Sequence, residues 1–312
     1  MDSALINPYN LILRAGGTPA RDSDSVQEVI EKAGLDWDIS ISPVAYLKEG
    51  NWAVLPGSRA IIRGDTDAPL GLVGSRYRPL SNMEAFQFLN DFIQDGTILL
   101  RGAGSLKGGV NVWLVASLPN HGIVGTDIVA NCLLFWNSFD GKSRLSIQLA
   151  PIDPKTGCLY TTLPGDVPTV RRITHSSNIL VGLTQARQAL QVANLRIQTL
   201  EEEVYKPLTS TSATDADVEQ VLCTALPGSG KEVLSQRMKN VHRVIAEMMA
   251  SSSKGPTPSL WDLYKAVCQY VDISRGGKVD KRLVSAWLGQ GYQIKQAALA
   301  TAVSLASTKE GE

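Results

Sequence analysis

The sequence predicts an α+β fold: an antiparallel sheet with packed helices and one long helix, followed by a C-terminal helical region. Three observations carry this. Residues 97–152 are rich in β-branched and aromatic residues broken by turn signals. Apolar residues recur at heptad spacing from Ile179 to Val204. Beyond residue 208 the periodicity is helical throughout. A chain of 312 residues, 44% hydrophobic and 19% charged, has ample material for a core and is not a disordered polymer. Thirty Lys and Arg balance thirty Asp and Glu. That excludes a binder driven by a strongly basic tail but leaves room for a local basic groove. The organisation read from these shifts is an N-terminal segment and short helix over 1–33, an α+β core over 34–207 and a helical region over 208–312.

In chain order, a polar loop leads to a short helix over Val26–Lys32, with Gly34 fitting its C-terminal cap. Residues 37–47, 51–63 and 70–77 read as short strands punctuated by Pro43, Pro56-Gly57 and Pro69. Asn82 reads as the N-cap of a helix through Ile93. Thr97–Ala103 and Gly108–Leu118 flank a hairpin loop at Gly104-Ser105-Leu106-Lys107. Ile128–Phe139 and Lys142–Ile152 flank Asp140-Gly141, a dipeptide favoured in type I′ turns, and Cys158–Leu163 offers a further strand. From Ile179 to Val204 the apolar spacing 4-3-4-3-4-3-4 gives a helix about 40 Å long, packed within the chain or in a coiled coil with another. A polar linker over 208–217 precedes helices near 216–225, 232–250, 260–272, 280–288 and 293–306, and Ser259 with Asp262 resembles a capping box.

Familiar catalytic patterns fail. Leu226-Pro227-Gly228-Ser229-Gly230-Lys231 departs from a phosphate-binding loop: Ala225 stands at the first glycine, Glu232 at the Mg²⁺-holding hydroxyl, and the preceding residues read as helical. The cysteines Cys132, Cys158, Cys223 and Cys268 form no close pair, so no metal ligand set and no cofactor is expected. Of the three histidines, His121 lies in a turn, His242 on the polar side of an amphipathic helix and His175 before the long helix, where Ser176 and Ser177 serve equally as caps. No catalytic residue is assigned. The N-terminus lacks a basic region and cleavage site, and no apolar run reaches the ~20 residues of a membrane span, so a cytoplasmic protein without a membrane partner is expected.

What remains are cations and aromatics. Alternation places Phe135 and Trp136 on opposite faces of a strand, so that one of them could lie open for base stacking. Lys107 and Lys142 fall at hairpin tips, with Arg144 just beyond, and Arg171-Arg172 lead into the long helix. Long cations at such places reach a phosphate backbone without being buried. Lys107, Lys142, Arg144, Arg171 and Arg172 are therefore the candidate nucleic-acid-binding residues; Arg76, Arg78 and Arg101 are further cations.

Several segments together resemble the phage/plasmid-like protein family, described as a domain of unknown function. They are Gly34-Leu35-Asp36-Trp37, residues 71–79 (GLVGSRYRP), residues 82–88 (NMEAFQF), residues 102–109 (GAGSLKGG), residues 137–142 (NSFDGK) and residues 260–267 (LWDLYKAV). Members often carry a Cys-x-Asn-Thr segment after the second hairpin; Gly157-Cys158-Leu159-Tyr160-Thr161 resembles it without the Asn. The resemblance implies a cytoplasmic protein of a mobile element in a bacterial host, engaged in DNA replication, recombination or counter-defence. The order of helix, sheet and long helix also resembles the core of phage single-strand annealing recombinases, at the level of topology alone.

The leading expectation is a non-enzymatic phage or plasmid protein that binds single-stranded DNA and assists annealing in recombination. The alternative is a protein-binding module of a mobile element, such as an inhibitor of a host defence enzyme, and a third is an enzyme centred on His175. A cationic path would favour DNA and an exposed apolar patch a protein partner, and a homo-oligomer is a further expectation.

Overall fold

A computed structural model describes residues 8–141, 145–163, 170–173, 196–228, 235–253 and 255–310. It is an α+β protein whose main sheet is covered on both faces. Helix α1 (Tyr9–Arg14) precedes a short edge strand β1 (Thr18–Pro19). Helix α2 (Val26–Lys32) is closed at its start by a capping box between Ser25 and Glu28, and Gly34 follows its end in the left-handed region. Strands β2 (Ile39–Lys48), β3 (Asn51–Arg63) and β4 (Pro69–Gly74) form a separate antiparallel sheet in the order β2-β3-β4. Ser81, one residue before the expected Asn82, caps α3 (Asn82–Phe86), because its hydroxyl and Glu84 complete a capping box. A tight turn, Gln87–Leu89, then leads to α4 (Asn90–Gln94).

The main sheet runs β1-β5-β6-β8-β9-β10, with β5 (Leu99–Leu106), β6 (Asn111–Ser117), β8 (Asp127–Ser138), β9 (Leu145–Ile152) and β10 (Val170–Ile173); β7 (Gly122–Val124) pairs with β8. Both expected strand pairings are present. In the first, the strand runs on to Leu106, and the tip is shifted to Lys107–Gly109. In the second, β8 ends at Ser138, and residues 142–144 after Asp140-Gly141 lie outside the described residues. Cys158–Leu163 is not a strand: it meets the sheet only at an Ile152–Leu159 bridge.

Alternation along the strands feeds two cores. Trp113, Val115, Cys132, Leu134, Trp136, Ala150 and Ile152 face the C-terminal helices. Val112, Leu114, Leu133, Phe135, Ile147 and Leu149 face α2, α3 and α4. Trp113 and Trp136 are opposite each other across β6 and β8. Both meet Trp287 edge-on, at centroid distances of 5.6 and 6.0 Å, while Phe135 meets Phe88 on the other face. Phe135 and Trp136 are thus both buried, and neither lies open for stacking.

Residues 196–199, at the end of the expected long helix, are helical and continue through a π-helical turn (Leu200–Tyr205) into α5 (Lys206–Ser210), so helix replaces the first residues of the expected polar linker. Ile197, Leu200 and Val204, the last three positions of the heptad pattern, are buried. The earlier positions, Ile179 to Ala193, lie outside the described residues. Helices α6 (Asp215–Ala225), α7 (Gln236–Ser252), α8 (Leu260–Gln269), α9 (Val279–Leu288) and α10 (Gln290–Glu310) follow. Capping boxes at Thr214/Asp217 and Ser259/Asp262 start α6 and α8.

The C-terminal helices hold residues 158–162 by polar contacts. Lys295 and Asp272, both fully buried, form an ion pair at 2.8 Å. The Lys295 ammonium also donates to the Leu159 carbonyl at 2.7 Å, and Asp272 accepts the Leu159 amide at 2.8 Å. The Tyr264 hydroxyl accepts the Thr161 amide, and the Tyr205 hydroxyl donates to the Thr161 carbonyl. Side chains satisfy the Leu159 and Thr161 backbone, while the Tyr160 amide donates to the Pro151 carbonyl of β9 and the Cys158 carbonyl accepts from the Asp153 amide. Among the described residues, no helix is long and apolar enough to cross a membrane.

Candidate nucleic-acid interface

The sheet register determines which candidate residues meet. Asn111 of β6 is opposite Ser138 of β8, so the β5–β6 and β8–β9 tips project from the same end of the sheet. The Phe139 amide donates to the Val110 carbonyl at 2.8 Å and ties the two tips together. On the far side of β9, Ile173 of β10 is opposite Leu145, so β10 also finishes toward this end.

Other segments close around the tips. Trp37 packs on Phe139 at a centroid distance of 5.3 Å. The Arg63 guanidinium lies over the Trp37 ring at 4.8 Å, donates to the Gly108 carbonyl and pairs with Asp65. A Cβ at Gly71 would collide with the Phe139 carbonyl, so only glycine allows β4 this close to the second tip. The Tyr77 hydroxyl reaches the Ser138 carbonyl at 3.5 Å, and burial, with Asp140 nearby, pushes its pKa well up. Asn137 donates to the Leu80 carbonyl and to Asn82, which donates to the Leu35 carbonyl. Five of the segments named in the sequence, at 34–37, 71–79, 82–88, 102–109 and 137–141, thereby converge on one end of the molecule.

Lys107 is exposed at the first tip, where its backbone φ is +55° and its amide donates to Asp280 at 2.7 Å. Lys142 and Arg144 lie outside the described residues. Arg171 and Arg172 are described in their backbone, paired with Ile147 and Ser146 on β10. Two cations left off the candidate set join the same end: Arg76 and Arg78 are exposed on the loop after β4. Asp280 brings two more, Lys278 and Lys281, exposed at the start of α9. Nothing in the spacing of residues 278–281 announces this, because the link to the tip is a backbone contact across 173 positions. Among the described residues, no ion pair holds Arg76, Arg78, Lys107, Lys278 or Lys281. Arg101, by contrast, is committed to Asp22 and Ser117.

Among the described residues, no cluster of three His, Cys, Asp or Glu side chains is placed to hold a metal ion. His175 lies outside the described residues. His242 is half-buried, which lowers its pKa, instead of solvated as its helix position suggests. Burial pushes the Cys132 and Cys158 thiols up to about 12. Residues 215–225, before the glycine-containing turn at 226–228, are helical, whereas a phosphate-binding loop follows a strand.

The fold and this end define a two-sided α+β protein presenting cations at its strand connections. Residues 69–288 match the family model described as Domain of unknown function (DUF932), and the chain belongs to that family. No curated protein and no solved structure matches the chain.

Proposed function

We propose that this chain is a non-enzymatic protein of a phage or plasmid that holds single-stranded DNA at the tip end of its main sheet and assists annealing in recombination in the bacterial cytoplasm. The observation that carries the proposal is the gathering of Arg76, Arg78, Lys107, Lys278 and Lys281 at one end, exposed and without ion pairs among the described residues. Annealing asks for no catalytic group. It asks for cations that hold backbones while base edges stay free to pair. The test is fluorescence anisotropy with a labelled single strand and its duplex across a salt series. Wild type binds the single strand at low salt, and Arg76→Ala, Arg78→Ala and Lys107→Ala together flatten the slope of log K against log[salt] by up to about 2. No binding at low salt overturns the proposal; binding with an unchanged slope overturns the assignment of these residues.

A second reading, a protein-binding module, is favoured by one observation. Six large apolar side chains, Tyr46, Leu47, Trp52, Val54, Leu55 and Leu72, are exposed on the small sheet.

A further inference from the structure

Strands β2 and β3 run beyond the end of β4. The β3–β4 pairing stops at Ser58 and Gly74, while β2 and β3 continue to a turn at Glu49-Gly50. Both turn residues have positive φ, +50° and +83°, the backbone of a type I′ hairpin that carries the natural strand twist. No residue from 45 to 57 is buried. The ribbon is a free arm, and an isolated two-stranded ribbon is marginal in water unless its apolar face is covered.

That face is well defined. Leu47 is opposite Trp52 and Ala45 opposite Val54, so period-2 alternation puts these four on one side. Leu47 is 62%, Trp52 76% and Val54 63% exposed. The arm carries one cation, Lys48, beside one anion, Glu49. Nucleic-acid binding draws on several cations, so this face suits an uncharged partner surface.

We infer that the arm is a self-association device: the Leu47, Trp52 and Val54 face packs against the same face of a second copy around a two-fold axis. Two features favour a second copy. The chain has zero formal net charge, so copies do not repel at distance. The tip has one charge of each sign, so a two-fold contact can be made without like charges opposed. Leu47, Trp52 and Val54 offer roughly 400 Å² of side-chain surface per arm, so two arms bury roughly 800 Å², the size of a weak, concentration-dependent contact. The inference does not depend on DNA binding.

Sedimentation velocity and light scattering across 1–100 μM, on wild type and on Leu47→Thr/Trp52→Thr/Val54→Thr, test it. Threonine keeps strand propensity, and exposed positions tolerate it, so the melting temperature should be unchanged. The expected result is a wild-type dimer and a variant whose dissociation constant rises at least ~100-fold. A disulfide formed by Ala45→Cys across the axis, absent when Leu47, Trp52 and Val54 are replaced, would support the same contact. A wild type that stays monomeric at 100 μM overturns the inference, as does a variant that dimerises equally well. A monomer that co-sediments with phosphatidylcholine vesicles through these three residues overturns it in favour of a membrane surface.

Discussion

Replacing Lys295 by Met tests the polar clamp on residues 158–162 most directly. Methionine fills much of the same space but leaves Asp272 in a fully buried site without its cation, hydrogen-bonded to the Leu159 amide. Breaking a buried pair from one side costs about 3–5 kcal/mol. At roughly 2 °C per kcal/mol for a chain of this length, the melting temperature should fall by about 6–10 °C. The double variant Lys295→Met/Asp272→Leu distinguishes a clamp from an ordinary ion pair. Swapping an ordinary buried pair for apolar residues is often neutral or stabilising. Here both polar groups of Leu159 lose their partners, at about 1–3 kcal/mol each. The double variant should therefore stay at least about 2 kcal/mol below wild type by urea titration. A single variant within about 1 kcal/mol of wild type, or a double variant that regains full stability, would refute the clamp.

Asp217 caps α6 and pairs with Lys309. Burial pushes its carboxyl up, but Lys309 and the Thr214 amide and hydroxyl outweigh that and hold it below the usual range. Its stabilisation is present above an unfolded value near 3.9 and lost as pH falls through the lower folded value. Asp217→Asn should cost about 1–2 kcal/mol at pH 7, and the gap from wild type should close below pH 4 in denaturation curves. Glu49→Asn, at a left-handed turn position, should stabilise the protein by about 0.5 kcal/mol in thermal melts, since Asn tolerates that backbone better. Of the four thiols, Cys223 alone is partly accessible, so a thiol reagent should label one cysteine quickly in the native protein and four after unfolding.

Local chemistry made much of the fold readable. Helix α2 was readable from its own apolar spacing and closing glycine, and the capping box of α8 from Ser259 and Asp262. Long-range contacts were not readable. Phe135 and Trp136 are both buried because elements from opposite ends of the chain cover the two faces of their strand. Cys158–Leu163 has strand-like residues, but Tyr264, Asp272 and Lys295 occupy the partners a strand would need. In the candidate interface, Lys107 could be placed near a hairpin tip from its neighbours alone. Lys278 and Lys281 reach the same end only through Asp280, and sequence spacing carries no trace of that contact.

The two-sided covering of the main sheet limits how a strand of DNA could lie on it. On the proposed function, the described strands offer bases no open sheet face on which to lie flat, so contact would be confined to the strand ends. From β5 across β6, β8 and β9 to β10 there are four inter-strand gaps, about 19 Å at the usual spacing. At about 3.4 Å per stacked nucleotide, that edge matches a footprint of about six nucleotides. Such a footprint would lengthen through Arg76, Arg78, Lys278 and Lys281, which lie beside the tips but outside the main sheet.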